Sequence, residues 1–260
     1  MSAAARYELL MMLRKRSLWL TMAIVTVLVG LLGYQDLREP AHDSRTAVVT
    51  AAVLLNLFLP AAYGSLLADR LIRDTRLGVG PILDATPAAP MARLVGKYLG
   101  VCAAVAAPIA MVYLGFAVVY AIASGRYVAV GWALATFATV LVPAVLFAGA
   151  LALAVPLAMP APLFRVLFVV YWFWGNGIHP LSMPTLSQTL VSPLGDYPLQ
   201  VFFGFRGDDG TPAGPEPGAS LNFLRPEVSA TTAWLSIAVL LAIAALVLYA
   251  ADAARARSTR

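Results

Sequence analysis

The sequence predicts an all-α integral membrane protein with six transmembrane helices, and three observations predict it. Only 12% of the 260 residues are charged, while 61% are hydrophobic. That is about half the charge of an ordinary soluble domain, too little polar surface to keep a globule of this size in water. Six apolar stretches each approach or exceed the roughly 20 residues that cross the hydrocarbon. Lysine and arginine are abundant on alternate flanks of these stretches, which is how membrane helices record their orientation.

The chain reads as a single transmembrane domain over residues 1–260. Residues 1–16 form a basic interfacial segment, ARYELLMMLRKR at its heart, whose 9–13 portion is a continuous apolar run. The first span is 17–34, SLWLTMAIVTVLVGLLGY. Arg14, Lys15 and Arg16 before it would suit a signal peptide, but no small-x-small cleavage pattern follows LLGYQD. The second span, 46–67, holds Asn56 and Pro60. The third, 98–123, holds Pro108, and the fourth, 128–157, holds Pro143 and Pro156. The fifth is 162–181 and the sixth 229–251. Helix is the favoured state because a lone apolar run must satisfy its own backbone hydrogen bonds in lipid. The alternating segments of about ten residues that build a membrane β-barrel are absent. Pro60, Pro108 and Pro143 predict kinks.

Thirteen basic residues fall on the first, third, fifth and seventh flanks, and five on the others. Acids run the opposite way, five against eight. Both termini and the 68–97 connection are therefore expected in the cytoplasm, with 252–260 as a cytoplasmic tail. The loop 182–228 is expected outside. The net charge of +5 is an orientation signal rather than a nucleic-acid patch, and no nucleic-acid partner is expected. High alanine content and abundant arginine beside only two lysines suggest a bacterial protein of the cytoplasmic membrane. In the outer loop, MPTLSQTLVSPLGDYPLQVFFGF reads as membrane-hugging and GDDGTPAGPEPGAS as an exposed Gly/Pro stretch.

Fuel chemistry is missing. Gly96–Lys97 is followed by Tyr98, and residue 91 is Met, so there is no phosphate-binding G-x-x-x-x-G-K-[ST] loop. Cys102 is the single cysteine. His42 and His179 are far apart, and no metal-ligand spacing occurs. The expectation is no catalytic residue, no cofactor and no metal in this chain. The spans are almost free of ionisable groups, with Arg165 near the inner end of the fifth and able to snorkel to headgroups. That argues against a proton- or sodium-coupled carrier. Asn56, Thr136, Thr139 and Ser236 are candidates for hydrogen bonds between helices, and Gly96-x-x-x-Gly100 for a close helix contact. Asn56 and the cluster Tyr171, Trp172, Trp174 and Asn176 are candidates for lining a pathway; an interfacial aromatic belt also explains the cluster.

The connection RLIRDTRLGVGPILDATPAAPMARLVGKYLG is ordered along its length. Charges come first, then Gly78 and Gly80, then the apolar pair Ile82–Leu83, then Thr86–Pro87. Either a solvated loop that fixes topology or a short surface helix presented to a soluble partner accounts for it. At Asp74, Arg76, Gly78, Ile82, Leu83, Thr86, Pro87 and Lys97 it resembles the cytoplasmic connection of ABC-2-type ABC transporter permeases. Asp84 and the AAP after Pro87 depart from that pattern. The resemblance covers the whole chain in layout and about thirty residues in motif.

It implies a permease subunit of an ATP-driven exporter, working with two copies of a separate ATP-binding subunit and with a second permease copy or paralogue. It also implies that Asp74, Arg76, Gly78, Ile82, Leu83, Thr86 and Pro87 couple to the ATPase through a short helix between spans two and three. Segment 182–205 would resemble the family's re-entrant helices. Two other readings stay open: a non-transporting accessory or scaffold protein in the bilayer, and an intramembrane lipid-modifying enzyme using His179 and Asp196.

Overall fold

The structure is a computed structural model describing residues 2–32, 43–71, 90–206 and 213–258. Its architecture is that of an all-α membrane protein, and no strand occurs among the described residues. Helix α1 is Ser2–Leu13 and α2 is Arg16–Leu32. Helices α3 (Ser44–Leu67) and α4 (Pro90–Ser124) follow. Next comes α5, a continuous helical rod over Val128–Leu157, and then α6, Ala161–Gly177. A short α7, Asp196–Phe203, precedes α8, Ala230–Ser258. Among the described residues, four helices (α3, α4, α5 and α8) are long and apolar enough to cross a membrane. Helices α2 and α6 are 17 residues each, at the lower limit for a span. A helix thus covers most of each of the six apolar stretches. The 182–205 portion contains one eight-residue helix, α7, with turns before it.

Local chemistry sets the breaks. The α1–α2 corner at Arg14–Lys15 is closed by the Trp19 indole, which donates to the Leu13 carbonyl at 2.8 Å. Gly125 ends α4 in the left-handed conformation (φ 68°) that an L side chain resists. Pro160 caps α6, and the missing N–H of Pro162 costs nothing in its first turn. At the start of α8, Ser229 and Thr232 cap each other: the Thr232 N–H donates to Ser229 Oγ (3.2 Å) and the Ser229 N–H to Thr232 Oγ1 (2.9 Å).

Pro60 and Pro108 lie inside unbroken helices. Pro143 differs: a π-helical turn over Phe137–Leu141 sits just before it. A proline ring crowds the carbonyl four residues back, and widening the preceding turn relieves that crowding.

Helix α3 is central, packing against α2, α5 and α6, while α8 lies along α5 and α1 along the start of α4. Two glycines permit the closest approaches. A Cβ on Gly64 would stand 2.1 Å from the Phe168 ring of α6, and one on Gly100 would stand 2.4 Å from the Ala5 carbonyl oxygen of α1. The Gly100 contact is therefore made with α1. Backbone cannot yield as a side chain tip can, so Gly100→Ala should displace α1 and lower stability by about 1–3 kcal/mol. Gly115→Ala, on the same helix with nothing within 4 Å, should be nearly neutral. Thermal unfolding of the two variants in detergent checks the difference.

Buried aromatic polar tips are satisfied by neighbouring helices, as a bilayer interior demands. Tyr113 donates to the Val48 carbonyl (3.0 Å), Trp172 to Leu57 (2.9 Å) and Tyr98 to Leu146 (2.9 Å). Tyr63 donates to the Met22 sulfur at 3.2 Å.

Candidate functional site

Polar and charged groups concentrate at two ends of the bundle. One end carries Glu8, Leu71 and the start of α4; the other carries residues 178–206 and 213–229.

At the first end, Glu8 is buried on the inward face of α1. Its carboxylate lies 3.8 Å from the Arg70 guanidinium and 3.5 Å from the Lys97 ammonium. Arg70 stands just beyond α3 and Lys97 two turns into α4, so the cations come from the two roots of segment 72–89. Arg70 is itself 5% exposed and also reaches the Met12 sulfur. One carboxylate between two cations, all largely removed from water, ties α1 to both roots. Nearby, Arg165 of α6 donates to the Ser65 carbonyl at 3.1 Å and pairs with Asp69. The side chain predicted to snorkel to headgroups thus turns onto the end of α3, although both partners keep substantial exposure.

The second end is a cap built around Arg225 and Asp196. Arg225 is 1% exposed. Its guanidinium donates to the carbonyls of Thr185 (3.2 Å), Ser187 (3.0 Å) and Ser220, joining two separate loop segments. Asp196 opens α7 and accepts the Gln188 N–H at 2.9 Å, holding Gln188 in a left-handed conformation (φ 58°). The same turn is thus gripped by its carbonyls and by its N–H.

Loss of water around the Asp196 carboxylate raises its pKa, against the lowering pull of the Ser192 hydroxyl, the Gln188 N–H and the Arg225 charge. Burial lowers the Arg225 pKa, opposed by Tyr197, Asp196 and Glu216. Tyr197, pushed up to about 12 by burial and then by Asp196, donates to the Pro226 carbonyl at 2.8 Å.

The predicted lining residues divide here. Asn56, Trp172 and Asn176 are brought together beneath the cap and are buried. Asn56 Nδ2 donates to the Pro193 carbonyl at 3.0 Å. Asn176 Nδ2 donates to the Trp172 carbonyl (2.7 Å), and its Oδ1 accepts the Ser192 hydroxyl (3.3 Å). Tyr171 lies beside Phe168, ring centroids 6.5 Å apart, and both Tyr171 and Trp174 are half-buried.

Ser236 also reaches the cap, donating to the Leu190 carbonyl at 3.0 Å. Thr139 bonds back to Ala135 on its own helix at 2.8 Å, a correction to its expected cross-helix role, because a threonine hydroxyl readily reaches the carbonyl one turn back. Thr136 bonds back to Trp132 and also neighbours the Tyr113 hydroxyl. His179 accepts the Leu181 N–H at 3.3 Å.

Between α3, α4 and α5 runs a narrow apolar crevice lined by Pro60, Tyr63, Cys102, Ile109 and Gly149. No group of three or more metal-ligating side chains occurs among the described residues. The residues Asp74, Arg76, Gly78, Ile82, Leu83, Thr86 and Pro87 lie outside the described residues.

Sequence reasoning missed Glu8 and Arg225. The signal for Glu8 was the only acid in α1; for Arg225 it was one of just two cations, with Arg206, amid the acids of the outer loop. Comparison with family models, curated proteins and solved structures finds no match.

Proposed function

We propose that the chain is the membrane-spanning subunit of an ATP-driven exporter of the ABC-2 type. In this reading it crosses a bacterial cytoplasmic membrane six times with both ends inside. It pairs with a second permease copy or paralogue and with two copies of a separate ATP-binding subunit. The observation that carries the reading is the Glu8–Arg70–Lys97 cluster, which ties α1, α3 and α4 together at the two roots of the charged 72–89 segment. A segment held at both roots delivers force to three helices at once, whereas a slack loop delivers none.

ATP-driven closure of the partner subunits pulls on 72–89, and α1, α3 and α4 tilt together as rigid bodies. The pathway forms between the two permease copies, because the crevice within one copy is narrow and apolar. Tyr171 and Trp174, which keep exposed surface, meet the substrate, while Asn56, Trp172 and Asn176 hold the wall behind them. Few polar groups along this route favour a lipid-like, peptide or drug-like substrate over an ion or sugar.

The test is co-expression with candidate ATP-binding subunits. The wild-type chain should co-purify with one of them and export in an ATP-dependent manner, and alone it should hydrolyse no ATP. Leu83→Asp, placed in the apolar pair proposed to dock, should abolish both co-purification and export while the helical content stays unchanged. An intact complex with full export in that variant, or ATP hydrolysis by the isolated chain, would overturn the proposal.

A further inference from the structure

Helix α1 has two faces. The inward face presses Ala5 against Gly100 and buries Glu8 and Met12. The other carries Arg6, Tyr7, Leu10 and Arg14, all exposed, at the spacing of three and four residues that makes one stripe. Arg16 and Trp19 continue it around the corner into α2. The stripe contains no acid, since the one carboxylate of α1 faces inward between Arg70 and Lys97. Among the described residues, Arg6, Arg14 and Arg16 meet no carboxylate.

The stripe's surroundings identify its occupant. Two residues after α1 ends, α2 begins, and its Leu20, Ile24, Val27 and Leu31 are 59–70% exposed, an apolar surface that needs hydrocarbon around it. The Trp19–Leu13 hydrogen bond fixes the corner between the helices. The stripe therefore lies where hydrocarbon gives way to headgroups, and it offers cations beside Tyr7 and Leu10, an aromatic and an aliphatic side chain.

We propose that this face of α1 binds the acidic phospholipid headgroups of the bilayer that α2 enters. Arg6, Arg14 and Arg16 contact the phosphates, and Tyr7 and Leu10 enter the acyl boundary. Because Glu8 occupies the opposite face, bound headgroups press the helix onto the roots of segment 72–89. The proposal rests on α2 crossing the membrane, as in the reading above, and is independent of any ATP-binding partner.

The test titrates the full-length protein in detergent with phosphatidylglycerol or phosphatidylcholine of identical chains and counts retained lipid by native mass spectrometry. Wild type should prefer phosphatidylglycerol, less so as salt rises. The variant R6Q/R14Q/R16Q should lose affinity for it by about a hundredfold, whereas R6K/R14K/R16K keeps the preference. Y7S/L10S should weaken phosphatidylglycerol retention, and glycerol 3-phosphate should not displace the lipid.

Equal retention of the two lipids by wild type, or unchanged preference in the glutamine variant, overturns the proposal. Displacement by glycerol 3-phosphate overturns it in favour of a free-phosphate site. Should the glutamine variant misfold, loss of preference in the folded lysine variant overturns it instead. None of these readouts involves ATP hydrolysis or co-purification, so failure here and failure of the exporter reading are told apart.

Discussion

Replacing Glu8 with alanine should loosen α1 and both roots of the 72–89 segment together, lowering stability by about 3 kcal/mol. The magnitude follows from burial. The side chains of Glu8, Arg70 and Lys97 are 12%, 6% and 13% exposed, so solvent screens little of the interaction. Without the carboxylate, two cations face each other where water reaches them poorly, and removing one partner of a buried pair costs more than the pair contributes net.

Glu8→Gln should fall between, because an amide still accepts a hydrogen bond but cannot balance charge. The double variant Glu8→Ala/Lys97→Ala should recover part of the loss, since deleting a cation relieves the repulsion. Thermal unfolding in detergent measures all three. If Glu8→Ala unfolds at the same temperature as the exposed-site control Arg6→Ala, the cluster does not bind the roots together.

Arg225→Met should release the cap while the long helices hold. The side chain is fully enclosed and supplies the donors for three carbonyls on two loop segments. Methionine is of similar length but leaves those carbonyls without their donor and Asp196 without its nearby positive charge. The expected loss is about 3–5 kcal/mol, confined to the cap.

Arg225→Lys should not restore it, because one ammonium cannot reproduce the planar fork of a guanidinium. Arg45→Ala, at the same end, is a contrast. Arg45 lies 3.7 Å from Asp43 with 40% of its side chain exposed and stacks over the Trp132 ring at 5.9 Å. An exposed pair of that kind contributes about 0–1 kcal/mol. Hydrogen exchange over 182–203 reports the outcome. Unchanged protection in Arg225→Met would mean that the backbone of the cap holds without its guanidinium.

Much of the helical framework could be read directly from residue order. Each apolar stretch holds a helix, and several ends fall at local punctuation: Gly125, Pro160, and the Ser229–Thr232 cap. Those features depend on hydrophobic length and on backbone chemistry within a few residues, which any reader of the chain can count. The candidate sites were far less legible. Asn56, Trp172 and Asn176 were singled out as polar or aromatic residues in apolar runs, but nothing local predicts that the segment at Ser192–Pro193 is what draws them together. Pro143 announced a distortion without revealing that the preceding turn would widen to a π-helix.

Residue order by itself established a helical chain built for a bilayer, because apolar length and the need to satisfy backbone hydrogen bonds act along one dimension and lipid answers them without regard to partners. Packing in three dimensions alone chose Glu8 as the common partner of Arg70 and Lys97, and Arg225 as the clasp of the cap. Lipid is as apolar as the side chains it surrounds, so hydrophobicity does not select which helices meet. That selection falls to small residues such as Gly64 and Gly100, which let backbones close in, and to buried charges that find one another only after they have done so.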